Sequence, residues 1–341
     1  MGRRKNKYPL IEGLEITGLA AEGKAIGRWN DQVVFVPMCV TGDVVNVQIN
    51  NKRKKFMEGY VTEFVKYSPL RIDPFCAHYG VCGGCKWQHL PYEKQLEFKR
   101  QQVEDQLTRI GKVALPEIPL TLGSEHTTDY RNKLEFTFSH KRWVTKEELA
   151  ENNEVDFATG ALGFHVTGMF DRVLNIDKCW LQPEPSNAVR TAVREFTQAH
   201  GYDYYDPRTH EGLMRNLIVR TASTGETMVI VVFAYADAER IAALMEYLKT
   251  TFPQITSLLY IVNQKLNDAY TDQEVICYAG RDHIFEEMEG LRFKIGPKSF
   301  YQTNSEQAYN LYRVAREFAG LTGDETVYDL YTGTGTIANF V

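Results

Sequence analysis

The sequence has no apolar run near the roughly 20 residues that a membrane-spanning helix needs. It also lacks an apolar segment behind its basic start, Met1 to Lys7, that could act as a signal peptide. Internal repeats and low-complexity tracts are missing as well. These absences argue against the membrane and secreted classes of protein, and we expect a cytoplasmic protein with no membrane partner. We also expect a monomer.

An excess of positive charge is missing too. The chain has 39 Lys and Arg against 44 Asp and Glu, a formal net charge of -5. Because phosphate-binding surfaces depend on Lys and Arg, this balance argues against nucleic-acid binding over the whole surface. Two local basic clusters remain, one at Arg3 to Lys5 with Lys7 and one at Lys52 to Lys55. Each one alone is typical of a solvated tail or hairpin, and together they leave local RNA contact open.

The composition is that of a globular protein. With 341 residues, 43% of them hydrophobic and 24% charged, the chain can form two or three domains. In residues 1–67, short strand-like runs alternate with turn residues, which predicts a small closed β-barrel of the OB-like kind that often binds RNA. The predicted strands are Leu14 to Gly18, Lys24 to Arg28, Gln32 to Val36, Asp43 to Asn50 and Gly59 to Lys66.

Two further segments follow the predicted barrel. Residues 68–118 hold a cysteine-rich loop and a helix predicted from Tyr92 to Ile110. Residues 119–292 alternate strands with helices, which predicts a central α+β domain.

The last segment, residues 293–341, has a different character. A capping box, Thr303 to Glu306, opens a predicted helix that runs to about Ala319. A predicted strand, Thr326 to Leu330, then leads into a glycine turn, as at the start of a Rossmann-like α/β domain. Because such a domain needs several more strands, we expect this one to be incomplete at Val341.

Three of the six cysteines lie in one short loop. Cys76, Cys82 and Cys85 form a C-x5-C-x2-C pattern, unlike the spread framework of a secreted disulfide protein. The two glycines between the last pair let the backbone curl so that both thiolates face one centre. The loop therefore predicts a metal site, and three thiolates need a fourth ligand.

The candidates for the fourth ligand lie both near the loop and far from it. Cys39 and Cys277 stand beside apolar strand residues, where a free cysteine usually behaves as a small buried hydrophobic side chain. We choose Cys179, with the nearby His78 and His89 as rivals. Thiolates suit both zinc and iron–sulfur clusters, whereas three ligands in one loop plus one distant cysteine favour iron–sulfur.

The glycine turn stands where an α/β sheet binds a nucleotide-like ligand. Asp329, Tyr331, Gly333 and Gly335 fit the D-x-[GFY]-x-G-x-G pattern of S-adenosylmethionine enzymes. Ala338 could supply the third small residue of a dinucleotide fingerprint, so NAD is the alternative. The acidic residue at the strand end favours S-adenosylmethionine.

Upstream of this turn, Phe300, Gln302 and Asn304 form an F-x-Q-x-N segment. The order of barrel, C-x5-C-x2-C loop, F-x-Q-x-N segment and D-L-[FY]-x-G-x-G turn resembles the RNA (uracil-5-)-methyltransferase family, and the resemblance covers the whole chain. The barrel is similar to the TRAM domain, whose strand glycines are matched by Gly18, Gly23 and Gly27.

The resemblance implies a cofactor, a cluster and RNA contacts. Gln302 and Tyr331 would contact S-adenosyl-L-methionine, and Thr336 stands where the family usually has Asn. The stretch from Tyr130 to Lys133 is similar to the one beside the target uridine, which implies RNA contacts by Arg131 and Asn132. The whole set implied for the cofactor is Gln302, Asp329, Tyr331, Gly333, Gly335 and Thr336. A [4Fe-4S] cluster is implied on Cys76, Cys82, Cys85 and Cys179.

The implied activity is C5-methylation of a uridine in RNA through a covalent cysteine adduct. Cluster-bearing members favour 23S ribosomal RNA as the substrate over transfer RNA. In the family the nucleophile and the general base follow the glycine turn, so we expect this chain to contain neither and to be inactive by itself. The alternatives are an RNA-binding iron–sulfur module without transferase activity, a tRNA uridine methyltransferase and an iron–sulfur redox protein.

Overall fold

The computed structural model describes residues 8–151 and 159–341. The basic cluster of Arg3 to Lys5 with Lys7 lies outside these ranges. The chain divides into two compact units, Met1–Gly123 and Ser124–Val341. Within the described ranges, no helix combines the length and the apolarity that a membrane crossing requires.

A five-stranded closed barrel opens the first unit, and the predicted barrel is confirmed. Its strands are β1 (Leu10–Leu19), β2 (Lys24–Trp29), β3 (Gln32–Pro37), β4 (Val44–Lys52) and β5 (Phe56–Lys66). They pair in the order β1-β2-β3-β5-β4, with β3 and β5 parallel. Alternate side chains point inward, as period-two strands require, and form one apolar core. That core includes Ile11, Leu14, Ile16, Val34, Val36, Val45, Val47, Ile49 and Met57.

Neighbouring atoms come so close to Gly27 and Gly23 that a larger residue would not fit, which explains two of the three glycines that are similar to those of the TRAM domain. A Cβ added to Gly27 would lie 2.8 Å from Cγ of Leu14 in the neighbouring strand. Gly23 has a φ of +73°, and a Cβ there would lie 2.5 Å from Cβ of Lys86. The turn at Gly23 therefore packs directly on the cysteine-rich loop. A Cβ on Gly18 would meet nothing within 4 Å.

A buried carboxylate joins the barrel to the start of the cysteine-rich loop. Asp43 is fully buried and accepts hydrogen bonds from the backbone N–H groups of Val40 and Ser68, at 2.8 and 2.9 Å. The guanidinium of Arg71 donates to both oxygens of the same carboxylate, from Nε to Oδ1 at 2.9 Å and from Nη2 to Oδ2 at 2.7 Å. After the loop comes α1 (Tyr92–Asp105), which is extended by a π-helical turn to Ile110, where the predicted helix also ends.

The second unit is built on a seven-stranded mixed sheet in the order β12-β11-β10-β9-β6-β7-β8. Only β10 and β11 are parallel among its paired strands. The elements are β6 (Lys133–Ser139), α2 (Lys146–Glu151), β7 (Ala161–His165), β8 (Val173–Asn175), α3 (Ser186–Ala199), β9 (Met214–Thr221), β10 (Thr227–Phe233), α4 (Ala238–Thr251), β11 (Ser257–Val262) and β12 (Val275–Gly280). Every residue of β10 is buried, so it lies in the middle of the domain.

A hairpin and two helices complete the second unit. They are β13 (Ile284–Met288), β14 (Leu291–Ile295), α5 (Ser305–Ala319) and α6 (Thr336–Phe340). Tyr312 of α5 and Phe340 of α6 share one core with Ile295 of β14 and with β9 and β10. The segment between β14 and α5 is therefore fixed at both ends by packed elements.

The cap of α5 differs by one residue from the predicted capping box. Asn304, not Thr303, is the N-cap, and its side-chain oxygen accepts a hydrogen bond from the backbone N–H of Gln307 at 2.9 Å. Glu306 does not reach back to the cap, because its carboxylate binds Nδ1 of His126 at 2.8 Å.

The predicted strand from Thr326 to Leu330 was wrong. These residues form no strand, and Val327, Tyr328 and Leu330 are mostly exposed. No described strand pairs with them, and an unpaired strand has no partners for its backbone hydrogen bonds.

Candidate cofactor and RNA site

Gln302 lies in the segment between β14 and α5, and the protein holds it by its main chain. Its carbonyl oxygen accepts a hydrogen bond from Nδ2 of Asn132 at 2.7 Å. Burial raises the pKa of the neighbouring Tyr312, and the side chain of Gln302 offsets part of that rise. Phe300, two residues earlier, is 73% exposed, so the segment reaches the surface. Gln302 is thus half-buried at the edge of an open face.

The predicted RNA-contacting residues lie directly against this segment. The backbone of Arg131 bridges to that of Asn304, and the N–H of Asn132 donates to the carbonyl of Thr303 at 2.8 Å. Nε of Arg131 donates to the carbonyl of Lys133 at 2.9 Å. Two residues expected beside a uridine and one expected beside the cofactor therefore come together in this fold.

The predicted glycine turn is a compact loop that leads into α6. Gly333 and Gly335 have φ values of +53° and +74°, the left-handed region that glycine adopts without strain. The carboxylate of Asp329 accepts from the N–H of Tyr331 at 3.3 Å. The hydroxyl of Thr336, a buried residue, lies 2.7 Å from that of Thr334.

Tyr331 differs most from its neighbours in the turn, because 96% of its surface is exposed. Phe340 at the end of α6 packs its ring on Tyr312, 6.1 Å between centroids, and Tyr312 neighbours the side chain of Gln302. An exposed aromatic ring and a half-buried amide are side chains that can bind the flat and polar parts of a nucleoside.

Two cationic side chains, the half-buried Lys133 and the buried Arg220, lie close to the Gln302 segment, and the sequence motifs did not include Arg220. They are cross-strand partners at the start of β6 and near the end of β9, and burial lowers the pKa of both side chains. Arg220 donates to the carbonyls of Gly296 and Ser299, at 2.6 and 2.7 Å, and so fixes the loop ahead of Phe300. The sequence signal that could have found Arg220 was a charged residue within a strand expected to be buried.

A small cavity lies beside the same loop. Its volume of about 10 Å³ has room for one water molecule and is far below that of a nucleoside pocket. The lining residues are Asn132, Arg220, Thr221, Ile284, Glu286, Ile295 and Tyr301.

The four predicted cluster ligands differ in burial. Cys179 is buried, and Asn187 holds its backbone with hydrogen bonds of 2.8 and 3.1 Å. Cys76, Cys82 and Cys85 are half-buried in the loop. In residues 8–151 and 159–341, no three His, Cys, Asp or Glu side chains gather where they could hold a metal ion. Their thiolates have the right chemistry for a cluster.

The two isolated cysteines behave differently from each other. Cys39 is fully buried, as expected, and burial raises the pKa of its thiol to about 12. Cys277 is exposed on the edge strand β12, so the prediction of a buried side chain was wrong there. An edge strand can leave one face open to solvent, which the apolar neighbours of Cys277 in the sequence do not reveal.

Comparison with known proteins gives the family. No protein-family model matches the chain. It is 59% identical over 326 residues to a protein named an uncharacterized RNA methyltransferase from Bacteroides thetaiotaomicron, covering 95% of this chain and 72% of that protein. A protein of the same name from Porphyromonas gingivalis is 57% identical over 333 residues, covering 96% and 71%.

A solved structure is similar as well. It is the crystal structure of the Pyrococcus abyssi tRNA (uracil-54, C5)-methyltransferase in complex with S-adenosyl-L-homocysteine, with a TM-score of 0.67 and 25% sequence identity. The likeness covers 96% of this chain and 69% of that one. A methyltransferase fold and close relatives over nearly the whole sequence lead to one conclusion: the chain belongs to the RNA methyltransferase family.

Proposed function

We propose that the protein transfers the methyl group of S-adenosyl-L-methionine to C5 of a uridine in RNA, with 23S ribosomal RNA as the substrate. One observation carries this proposal: the Arg131–Asn132 stretch is hydrogen-bonded to the segment that holds Gln302. The residues expected to contact the uridine and the cofactor are thus neighbours in the fold. The likeness to a tRNA (uracil-54, C5)-methyltransferase that binds S-adenosyl-L-homocysteine supports it.

In the proposed cofactor site, residues of this chain bind and orient. The amide of Gln302, whose main chain Asn132 holds, donates to or accepts from polar groups of S-adenosyl-L-methionine. The exposed ring of Tyr331 supplies a flat apolar contact. Asp329, Gly333, Gly335 and Thr336 shape the turn that the cofactor approaches. When bound, the cofactor supplies the electrophilic methyl group.

Uracil C5 attacks a methyl group only after a nucleophile adds to C6. We propose that a cysteine thiolate forms this bond, that C5 of the resulting enolate takes the methyl group, and that a general base then removes the C5 proton as the cysteine leaves. The base must leave its stack to reach such a site. We propose that Arg131 contacts the displaced nucleotide.

None of the six cysteines of this sequence suits the role of nucleophile. Three form the loop pattern, Cys179 is buried, and burial raises the pKa values of both Cys39 and Cys277, which opposes formation of a thiolate. We therefore propose that the 341 residues bind cofactor and RNA without transferring a methyl group.

The cluster remains a proposal of its own, since only residue types, spacing and family resemblance support it. We propose a [4Fe-4S] cluster on Cys76, Cys82, Cys85 and Cys179, although the described residues do not gather around a metal. No step of the reaction depends on it. Iron and sulfide analysis of protein purified without oxygen tests it: protein that is colourless and free of iron excludes the cluster.

Nucleoside analysis tests the proposed reaction. The full-length gene product is incubated with S-adenosyl-L-methionine and either 23S ribosomal RNA or transfer RNA that lacks modification. We expect 5-methyluridine in the ribosomal RNA only. The P. abyssi likeness favours transfer RNA as the second candidate, and 5-methyluridine in transfer RNA alone would establish it. RNA binding without any methylated product would leave an RNA-binding module instead.

A further inference from the structure

Three side chains beside Gln302 form a chain of hydrogen bonds. Nδ2 of Asn132 donates to the carbonyl of Gln302 at 2.7 Å and to the hydroxyl of Ser305 at 2.8 Å. The hydroxyl of Ser305 donates to Oε1 of Glu286 at 2.9 Å. Glu286 is 2% exposed, and its other oxygen accepts from the hydroxyl and N–H of Ser223, at 2.7 and 3.2 Å.

The chemistry of the groups fixes the direction of this chain. The side-chain nitrogen of Asn132 only donates, so the oxygen of Ser305 accepts from it and gives its own single hydrogen to Glu286. That nitrogen has two hydrogens, and the second goes to the Gln302 carbonyl. A change at Glu286 would therefore affect Gln302, three hydrogen bonds away.

The backbone of Asn132 anchors the chain of hydrogen bonds to the central sheet. Its carbonyl accepts from the N–H of Thr221 at the end of β9, at 3.0 Å, and its N–H donates to the carbonyl of Thr303 at 2.8 Å. The sheet is the rigid part of the second unit, whereas the Gln302 segment has neither helix nor strand. Asn132 thus connects the irregular segment that contains Gln302 to the central sheet, which can hold that segment in place.

We propose that Asn132, Ser305 and Glu286 are positioning residues that hold the main chain of Gln302 so that its side-chain amide meets the cofactor. This inference rests on the proposed function. It gives Asn132 a second role, the positioning of Gln302 for the cofactor, in addition to the uridine contact expected from the sequence. Glu286 acts at a distance, through Ser305, and touches neither cofactor nor RNA.

Calorimetric titration of the full-length gene product with S-adenosyl-L-homocysteine tests the inference. Asn132→Ala removes the hydrogen bond to Gln302. The Kd is expected to rise about tenfold, which corresponds to the free energy of one hydrogen bond. Ser305→Ala is expected to do the same, and Ser305→Thr, which keeps the hydroxyl, to restore binding. The matched control is Asn175→Ala, which removes an amide that accepts from the N–H of Leu162 at the sheet edge. Its Kd should stay unchanged.

A double substitution separates positioning from general support of the fold. If Asn132 acts through Gln302, Asn132→Ala adds nothing to the loss already caused by Gln302→Ala. Additive losses would overturn the inference, as would a Kd that Ser305→Ala and Ser305→Thr change equally. The proposed function fails separately: it loses its cofactor site if Gln302→Ala alone leaves the Kd unchanged. If Asn132→Ala does not fold, the comparison of the Kd values of Ser305→Ala and Ser305→Thr still tests the inference.

Discussion

At Asp43, hydrogen bonds outweigh the cost of burying a carboxylate. Burial by itself would raise the pKa of Asp43, but the hydrogen bond from Arg71 and those from two backbone N–H groups lower it below the usual value. A carboxyl group with a lowered pKa in the folded state stabilises the fold above its unfolded pKa of about 4. That stabilisation is lost as the pH falls through the lowered pKa.

Asp43→Asn is expected to lower the free energy of unfolding by about 3 kcal/mol at neutral pH, because it leaves the partly buried Arg71 without its charge partner. The pH dependence below about pH 4 should weaken as well. Urea unfolding at pH 7 and pH 3 measures both effects. Asp272→Asn is the control, since its ion pair with Lys265 is exposed. Equal stability of Asp43→Asn and the parent protein would contradict this account of the barrel.

The two isolated cysteines should differ in reactivity. Iodoacetamide reacts with the thiolate, and it must also reach the sulfur. Cys39 is fully buried with a pKa of about 12, whereas Cys277 is exposed. Peptide mass mapping after brief labelling of native protein at pH 8 should find Cys277 modified and Cys39 unmodified. Faster labelling of Cys39 would show that it is accessible and reopen it as a nucleophile.

Single residues also show what a sequence can reveal about a site. Gln302 was predictable because its pattern lies within five neighbouring positions. Glu286, Arg220 and Tyr312 were not, since each matters through partners that are distant in the sequence or on another element. Their contacts depend on the packing of α5 and the hairpin against the sheet, which local patterns do not encode.

At the scale of elements, the β4–β5 hairpin presents the basic cluster to solvent. Lys52 to Lys55 are all exposed, and Nε2 of Gln32 ties the turn to β3 through the carbonyl of Lys54 at 3.0 Å. Four neighbouring cations on one fixed turn favour contact with an RNA backbone. The barrel is therefore the expected place of sequence-independent RNA binding.

Lys54→Glu should weaken RNA binding and reduce the slope of log K against log salt by about one, because one phosphate contact is lost. Fluorescence anisotropy over a salt series measures both quantities. Lys249→Glu, on the exposed side of α4, is the matched control. If both substitutions weaken binding equally, the effect comes from net charge and not from the hairpin.

The elements that the sequence predicted well are those with strong local periodicity. The barrel strands alternate apolar and polar residues between clear turns, and α3, α4 and α5 have regular apolar stripes. The run from Thr326 to Leu330 has the composition of a strand, yet a strand also needs a neighbour. No described strand supplies one, and composition alone could not reveal this.

At the scale of the whole molecule, the first compact unit ends in residues 111–123, which have neither helix nor strand, and the second unit begins directly after them. Lys112 is exposed and has a φ of +56°. Exposed segments of this kind are preferred sites of proteolysis. Limited trypsin digestion should first cut after Lys112 and yield two fragments that resist further cleavage. First cuts inside β9 or β10 would contradict the division into two units.

The central claim is that this family member methylates C5 of uridine with a cofactor site at Gln302. Release of tritium from RNA that carries [5-³H]uridine measures the chemistry directly, because replacement of the C5 hydrogen sets the label free. We predict that the full-length gene product releases tritium only with S-adenosyl-L-methionine present, and that Gln302→Ala slows the release at limiting cofactor. Methyl transfer without tritium release would place the methyl group on another atom and contradict the claim.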